Sequence, residues 1–409
     1  MIPFSPPRMD QLIIDEVVAT LKSGWITTGP RTKLFEKKLT DYCGNKKTLC
    51  LNSATAGLEL ILRWFGVQEG DEVILPAYTY SATANVIMHC GAKPVFVDVN
   101  SDFNISLSAI EKAITPKTKV IMPVDFGGLP CDYEKLNALV RRPEIRALFN
   151  ASTAEQTQLG RILILADAAH SLGAEIAGQK TGSLTDVSVF SFHAVKNLST
   201  AEGGAIALNL SDGFDNEEIY TKLCIKSLHG QNKDALAKTQ KGNWKYDIVE
   251  AGYKMNMTDI LAAIGLVELD RYESETLPRR REIFDIYNQG LGKYAWAELP
   301  MMENPEIGKI SSYHLYPLKI KNINEEQRDE IMKHIFDQDV SVNVHFIPVP
   351  MMSYYKKLGY SIHDYPETYQ QYSREISLPV FFDLSALQAE KVIQSVVDAV
   401  EKVLNFQKN

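Results

Sequence analysis

The sequence has few cysteines, no long apolar run and no excess of basic residues. The five cysteines, at positions 43, 50, 90, 131 and 224, lack the paired spacing of a zinc site or a disulfide framework, so we expect reduced structural thiols and no metal. No segment has the length of apolar residues that crosses a bilayer, and the first residues lack the parts of a secretion signal. We therefore predict a cytoplasmic protein with no membrane partner.

The balance of charge and the length of the chain narrow the class of protein. A formal net charge of -8 argues against general affinity for nucleic acid. The 409 residues, with 45% hydrophobic and 23% charged content, have an ordinary globular composition and are long enough to bury a large core. These values favour an enzyme of two domains over a small binding module.

Short runs rich in Val, Ile and Leu recur between helical stretches over residues 46–208, which is typical of a parallel sheet covered on both faces. The runs span 48–52, 72–75, 93–99, 118–126, 161–167, 187–192 and 205–208. Helices are predicted to begin near Ser53 and Ser81. The pattern predicts an α/β fold with a mostly parallel, doubly wound sheet, whose ligands bind beyond the carboxyl ends of the strands.

The composition changes near Gly252, so we predict a large domain over residues 1–251 and a smaller α+β domain over 252–409. The second part is predicted to contain an apolar helix at 258–272, strands at 314–320 and 340–347 with an acidic helix between them, and a helix at 387–404. The polar stretch 141–160 indicates an irregular surface insertion.

Lys196 and Asp167 are the residues that indicate a chemistry. Asp167 closes one apolar run, and Lys196 follows a later run in the segment 191–196. Pyridoxal phosphate (PLP) needs a lysine to hold its aldehyde as a Schiff base and an acid to keep its ring nitrogen protonated. Singly, a strand-end aspartate is more often a helix cap and most lysines are solvated. The order of the two residues along the chain favours the cofactor.

A phosphate group favours backbone donors and hydroxyls at a helix start, and residues 53–56 supply such a start. Ser53 alone indicates no more than helix capping. Ser191, near a strand end, is a candidate phosphate donor. His170 is either a contact of the cofactor's ring hydroxyl or a structural histidine, and Tyr80 either covers the pyridine face or belongs to the core.

These residues lie in ordered motifs through which the chain resembles the DegT/StrS-type nucleotide-sugar aminotransferases, members of PLP fold type I. The motifs are SGWITTGP (23–30), GDEVILP (70–76), DAAH (167–170), SFHAVK (191–196) and GYKMNMTD (252–259), and the likeness continues through 313–316, 344–348 and 377–379.

The resemblance implies a role for each matched residue. Lys196 forms the Schiff base, Asp167 pairs with the pyridinium nitrogen and Tyr80 stacks on the ring. Ala54, Thr55 and Ser191 contact the phosphate. Asn256 reaches the phosphate from a partner subunit. His345 is a candidate contact of the substrate. Because neither chain would complete the pocket alone, the resemblance implies a homodimer with shared active sites.

The implied reaction transfers the amino group of glutamate to a keto group of a nucleotide-linked deoxysugar. Lys196 would shuttle the proton, provided that its pKa is lowered from the free value of about 10.4. Residues 252–256 look most like relatives that aminate C4. Alternatives are a PLP-dependent sugar dehydratase, in which histidine replaces the lysine, an aminotransferase acting on a cyclitol or another ketone, and a non-catalytic PLP-binding regulator.

Two residues depart from the family pattern. Ala54 stands where many relatives carry glycine, and Ala201 stands where glycine usually precedes Glu-Gly-Gly. Both are small, and we expect them to be tolerated. Ala54 would matter only if its backbone required a positive φ.

Overall fold

The computed structural model describes residues 1–211, 213–232 and 245–404. The first part of the chain alternates strands with helices. Its strands are β1 (Lys47–Leu51), β2 (Glu72–Pro76), β3 (Lys93–Val97), β4 (Thr118–Ile121), β5 (Leu163–Asp167), β6 (Glu175–Ile176), β7 (Gln179–Lys180), β8 (Val187–Ser191) and β9 (Gly204–Leu208). Its helices are α1 (Gln11–Lys22), α2 (Pro30–Cys43), α3 (Ala54–Trp64), α4 (Ser81–His89), α5 (Leu107–Ala113), α6 (Tyr133–Arg141), α7 (Pro143–Leu148), α8 (Ala154–Leu159) and α9 (Asn216–Ser227).

Seven of these strands form one sheet in the order β1-β9-β8-β5-β4-β2-β3. Strand β9 runs antiparallel to both of its neighbours, and the pairs β8–β5, β5–β4, β4–β2 and β2–β3 are parallel. Helices cover both faces, so β2, β4, β5 and β9 are mostly apolar and are buried along their length. This confirms the predicted α/β class with a mostly parallel sheet.

The second part of the chain forms a smaller sheet packed on helices. Its helices are α10 (Asp259–Asp270), α11 (Leu277–Leu291), α12 (Glu325–Phe336), α13 (Ser353–Lys357), α14 (Pro366–Tyr372) and α15 (Ala386–Val403), and its strands are β10 (Ala297–Glu298), β11 (Glu303–Asn304), β12 (Lys309–Ile310), β13 (Tyr316–Ile320) and β14 (Glu375–Leu378). Strands β10, β13 and β14 form an antiparallel sheet, and β11 and β12 extend the β6–β7 hairpin of the first part. Both α12 and α15 begin with capping boxes.

Two local predictions from the sequence were wrong. Residues 340–347 form no regular strand: they make only isolated bridges, from Val340 to Ile2 and from Asn343 to Ser377. Residues 141–160 are not irregular, because they contain α7 and α8. Their polar residues serve structure, since Thr153 caps α8 and the buried Gln156 amide donates to the carbonyl oxygen of Phe65 at 3.0 Å.

The domain boundary at 251/252 stays a prediction. Helix α10 packs on α1 and α2, and Phe35, Ala262 and Leu266 share one apolar cluster. The C-terminal core instead joins residues from Ile283 onward with Ile2 from the N-terminus. We propose from this packing that the large domain extends through α10.

The cysteines of this chain form no disulfide bonds. All five cysteines carry free thiols, and four of them are buried. Among the helices of the three described stretches, none is long and apolar enough to cross a membrane.

The two residues that depart from the family pattern have different backbones. Ala54 opens α3 with helical geometry, so glycine is not required there. Ala201 has φ of +67°, in the left-handed region that disfavours residues with a Cβ atom. The turn between Lys196 and β9 therefore carries a local strain at Ala201.

We predict that Ala201→Gly raises the free energy of unfolding by up to about 1 kcal/mol. The backbone strain that the left-handed alanine causes is larger than the extra backbone entropy that glycine loses on folding. The matched change Ala54→Gly, in a helix, should lower the same free energy by about 0.5 kcal/mol or more. Denaturant unfolding of both variants without added cofactor checks the pair, and a destabilising Ala201→Gly would contradict it.

Candidate active site

A cavity of about 420 Å³ lies where β5 and β8 end at the carboxyl edge of the sheet. It brings together eight of the nine residues predicted from the sequence: Ala54, Thr55, Tyr80, Asp167, His170, Ser191, Lys196 and His345. The cavity is wide enough for a small cofactor, in the position that doubly wound sheets use for ligands.

Asp167 is the buried acid of the cavity. It is the last residue of β5, and its carboxylate accepts hydrogen bonds from the Thr83 hydroxyl at 2.8 Å and from the Ala169 N–H at 3.3 Å. Burial raises the pKa of Asp167, and the nearby charge of Lys196 opposes that rise. Within the described chain Asp167 has no ion-pair partner. A cationic ring nitrogen would supply the positive charge that this carboxylate lacks.

Lys196 faces the cavity from the loop after β8. Burial lowers the pKa of Lys196 to about 8, because desolvation disfavours the ammonium form, while the charge of Asp167 raises it. The loop is fixed on its far side, where the Asn197 amide donates to the carbonyl oxygen of Ser312 at 2.7 Å. The lysine therefore has a nucleophilic amine that is partly neutral near physiological pH.

Two buried histidines stand beside these residues. The Gly127 N–H donates to Nδ1 of His170 at 3.3 Å, so a neutral His170 ring carries its proton on Nε2. The His314 ring lies 4.3 Å from that of His170, and its Nδ1 is 2.8 Å from Oδ1 of Asn197. Burial holds the pKa of both histidines well below the usual value, so Lys196 is the principal cation of the cavity wall.

The start of α3 lies at the cavity and offers free backbone donors. The Ser53 hydroxyl accepts from the Ala56 N–H at 3.1 Å, whereas the N–H groups of Ala54 and Thr55 have no acceptor within the described chain. The first residue of β9 must be glycine for this arrangement, since a Cβ atom at Gly204 would lie 2.4 Å from the backbone nitrogen of Ala54. Free N–H groups beside the hydroxyls of Thr55 and Ser191 are suited to a phosphate.

One side of the cavity is aromatic. Phe4 stacks on His345 with ring centroids 5.3 Å apart, and Phe346 lies 5.8 Å from Tyr80. Tyr80 is 62% exposed, with its ring at the cavity wall. The aromatic side of the cavity therefore combines residues from the N-terminus, from the loop before α4 and from the second part of the chain.

Asn256 is the predicted site residue that the structure does not bring to this cavity. It pairs with Leu51 at the end of β1, and its amide donates to the Thr28 hydroxyl at 2.6 Å. Asn256 is not one of the described residues that line the cavity. Its role would therefore depend on a second subunit.

Several contacts were not predicted from the sequence. Thr83 and Phe4 carry no local signal, because each becomes significant only through a partner distant in the chain. His314 lies in a motif that resembles the family, yet no role had been assigned to it. The hydrogen bond to Asp167 and the ring contact with His170 identify Thr83 and His314 as parts of the site.

Comparison with known proteins gives one family. The profile of the DegT/DnrJ/EryC1/StrS aminotransferase family matches residues 7–397. The spore coat polysaccharide biosynthesis protein SpsC of Bacillus subtilis is 36% identical over 407 residues, covering 98% of this chain and 97% of that protein.

Solved structures agree with the sequence match. A putative sugar aminotransferase of Streptococcus pneumoniae, in the pyridoxamine phosphate form, superposes with a TM-score of 0.94 at 46% identity and covers 98% of this chain and 100% of that one. The PLP form of the same protein gives a TM-score of 0.93 at 44% identity, with coverage of 98% and 99%. PseC of Helicobacter pylori, an aminotransferase involved in the biosynthesis of pseudoaminic acid, gives 0.84 at 27% identity, with coverage of 98% and 99%.

The family and the solved relatives establish PLP as the cofactor and fold type I as the fold. The cavity fits this group in two respects: unpaired N–H groups lie with hydroxyls at the start of α3, and the buried Asp167 lacks a cationic partner within the described chain. When bound, PLP supplies an aldehyde that condenses with amines and a ring that accepts electrons. The cavity offers a lysine amine that can condense with the aldehyde and a carboxylate that can pair with the ring.

We predict that covalent capture of PLP by the cofactor-free protein accelerates up to about pH 8 and then levels off. A lysine of unperturbed pKa, about 10.4, would continue to accelerate beyond pH 10, because only the neutral amine attacks an aldehyde. Absorbance-monitored mixing between pH 6 and 10.5 measures the midpoint.

The variant Asp167→Asn provides the control for this profile. Since the charge of Asp167 raises the pKa of Lys196, its removal should shift the midpoint to lower pH. A wild-type rate that still climbs at pH 10 would refute the assigned environment of Lys196.

Proposed function

Since this chain belongs to the DegT/DnrJ/EryC1/StrS aminotransferase family and is a PLP-dependent enzyme, we propose that it moves an amino group from glutamate to a keto group of a nucleotide-linked deoxysugar, with C4 as the favoured position. The observation that carries the proposal is the meeting of Lys196, Asp167 and the start of α3 in one cavity. The names of the relatives, a sugar aminotransferase and a polysaccharide biosynthesis protein, support the substrate class.

Lys196 is the proposed attachment point for the cofactor and the proposed proton carrier. With a pKa of about 8, its amine both accepts and releases a proton near neutral pH. Asp167, oriented by Thr83, would keep the ring nitrogen charged, and His170 would direct its Nε2 proton toward the ring oxygen. Ala54, Thr55 and Ser191 would hold the phosphate, Tyr80 would stack on the ring and His345 would contact substrate.

The dehydratase alternative is less favourable for this chain, because in such relatives histidine stands at the position of Lys196. An aminotransferase acting on a cyclitol or another ketone remains the second candidate, and it would use the same Lys196, Asp167 and phosphate end. A cytoplasmic location remains part of the proposal.

We also propose that the working unit is a homodimer in which Asn256 reaches the partner's phosphate site. Asn256 lies beside Thr28, close to a surface with many exposed apolar side chains. That surface is formed by α1 and the residues that follow it: Leu12, Ile14, Val18, Leu21, Ile26 and Leu34. A second copy of the chain would cover these side chains and complete the pocket.

We expect Lys196→Ala to abolish transamination while leaving the fold unchanged, because no other lysine lines the cavity in the described chain. The wild-type protein with PLP should show a yellow absorbance band that fades on titration with glutamate. In Lys196→Ala the protein-bound band should be lost. The exposed Lys135→Ala, outside the cavity, serves as control and should behave as wild type. Normal turnover by Lys196→Ala would reject the mechanism.

Subunit complementation tests the shared site. Chains with Lys196→Ala or Asn256→Ala alone should be nearly inactive, but a hybrid dimer of the two, isolated with two affinity tags, should regain about half of the wild-type activity. One of its two sites then holds both native residues from different chains. An inactive hybrid would indicate that Asn256 acts within its own chain, and an active Asn256→Ala homodimer would show that Asn256 has no role.

A further inference from the structure

His345 projects into the cavity from a segment without regular secondary structure, yet its ring is held from three sides. Its Nδ1 lies 2.9 Å from the Ser377 hydroxyl, Phe4 stacks on its face and Phe346 meets its ring edge-on at 5.2 Å. A ring restrained in this way presents only one nitrogen, Nε2, to the cavity. Within the described chain Nε2 of His345 has no hydrogen-bond partner.

Ser377 is itself fixed by a buried acid. It lies on β14, and its hydroxyl donates to Oε1 of Glu375, two residues earlier on the same face of the strand. The other oxygen of Glu375 accepts from the backbone N–H of His345 at 3.1 Å. Glu375 therefore holds His345 twice, once through its backbone and once through Ser377. Both Glu375 and Ser377 are fully buried, so neither touches substrate.

These hydrogen bonds persist whether Glu375 is protonated or ionised. Burial raises the pKa of Glu375 to about 8, so the acid and carboxylate forms both occur near neutral pH. A serine hydroxyl can donate to one neighbour and accept from the other in either direction. The bond between Ser377 and Nδ1 of His345 is therefore kept in both forms.

We propose that Glu375 and Ser377 are positioning residues that orient His345 so that its Nε2 atom is the substrate-facing hydrogen-bonding group of the active site. This inference rests on the proposed function for the identity of the substrate, but the orientation itself does not. The arrangement links the C-terminal strand β14 to the chemistry at Lys196, across the cavity.

Amide variants of His345 test which nitrogen acts. The glutamine amide extends to the position of Nε2, whereas the asparagine amide reaches only the position of Nδ1. In single-turnover reactions with glutamate, His345→Gln should stay within about tenfold of wild type and His345→Asn should fall about tenfold further, as for one lost hydrogen bond. Equal losses, or a more active His345→Asn, would overturn the assignment of Nε2.

A double-mutant cycle of Ser377 and His345 distinguishes the orientation of His345 by Ser377 from a general effect of Ser377 on packing. Ser377→Ala should slow the glutamate reaction about tenfold in the wild-type background and have no further effect in the His345→Gln background, where no ring remains to be oriented. A loss that persists with His345→Gln, or no loss in either background, would overturn the role of Ser377. Ile376→Val is the matched packing control on the same buried strand, and it should leave the rate unchanged.

The orientation also has a readout that needs no turnover. In cofactor-loaded protein labelled with ¹⁵N-histidine, Ser377→Ala should shift the ring nitrogen signals of His345, identified by their loss in His345→Gln. Ile376→Val should leave them in place. Unchanged signals in Ser377→Ala would refute the positioning role, whereas a failure of glutamate conversion in the wild type would instead reject the proposed function.

Discussion

The structure depends on one electrostatic constraint, which is the burial of a carboxylate at the end of a central strand. Asp167 is enclosed by the sheet and by α4, with two hydrogen-bond donors and, within the described chain, no ion-pair partner. A buried charge of this kind is unfavourable unless a cation compensates it. PLP with a protonated ring nitrogen would supply that cation, so in the proposed arrangement the cofactor balances the charge of the site. The other residues of the cavity are arranged around this need.

The sheet order explains why distant segments meet. Strands β5 and β8 are adjacent and parallel, so they end in Asp167 and Ser191 at the same edge, although 23 residues lie between these two in the sequence. Strand β9 reverses direction and begins at that edge, where Gly204 packs directly on the first turn of α3. One antiparallel strand thus places the start of α3 next to the loop that carries Lys196.

The sequence was sufficient where function coincided with the end of a regular element. Lys196, Asp167 and the start of α3 follow apolar runs whose periodicity is visible, and the resemblance to a family assigned their chemistry. Thr83, His314 and Phe4 escaped because their roles arise from long-range contacts that no local pattern records. The apolar pattern of residues 340–347 predicts a strand for a related reason: it reflects contacts with the N-terminus and β14 rather than continuous sheet pairing.

The second part of the chain lines the cavity as well as supporting it. It contributes His314, His345 and Phe346 to the cavity, and the Arg280 guanidinium donates to the carbonyl oxygens of Tyr313 and His314. Burial lowers the pKa of His170, His314 and His345, so these three rings offer hydrogen bonds without adding charge beside Lys196. A protonated histidine there would depress the pKa of the lysine further and compete with it as the proton carrier. With these rings neutral, Lys196 is the group that would carry the proton in the proposed reaction, and its desolvated surroundings come from both parts of the chain.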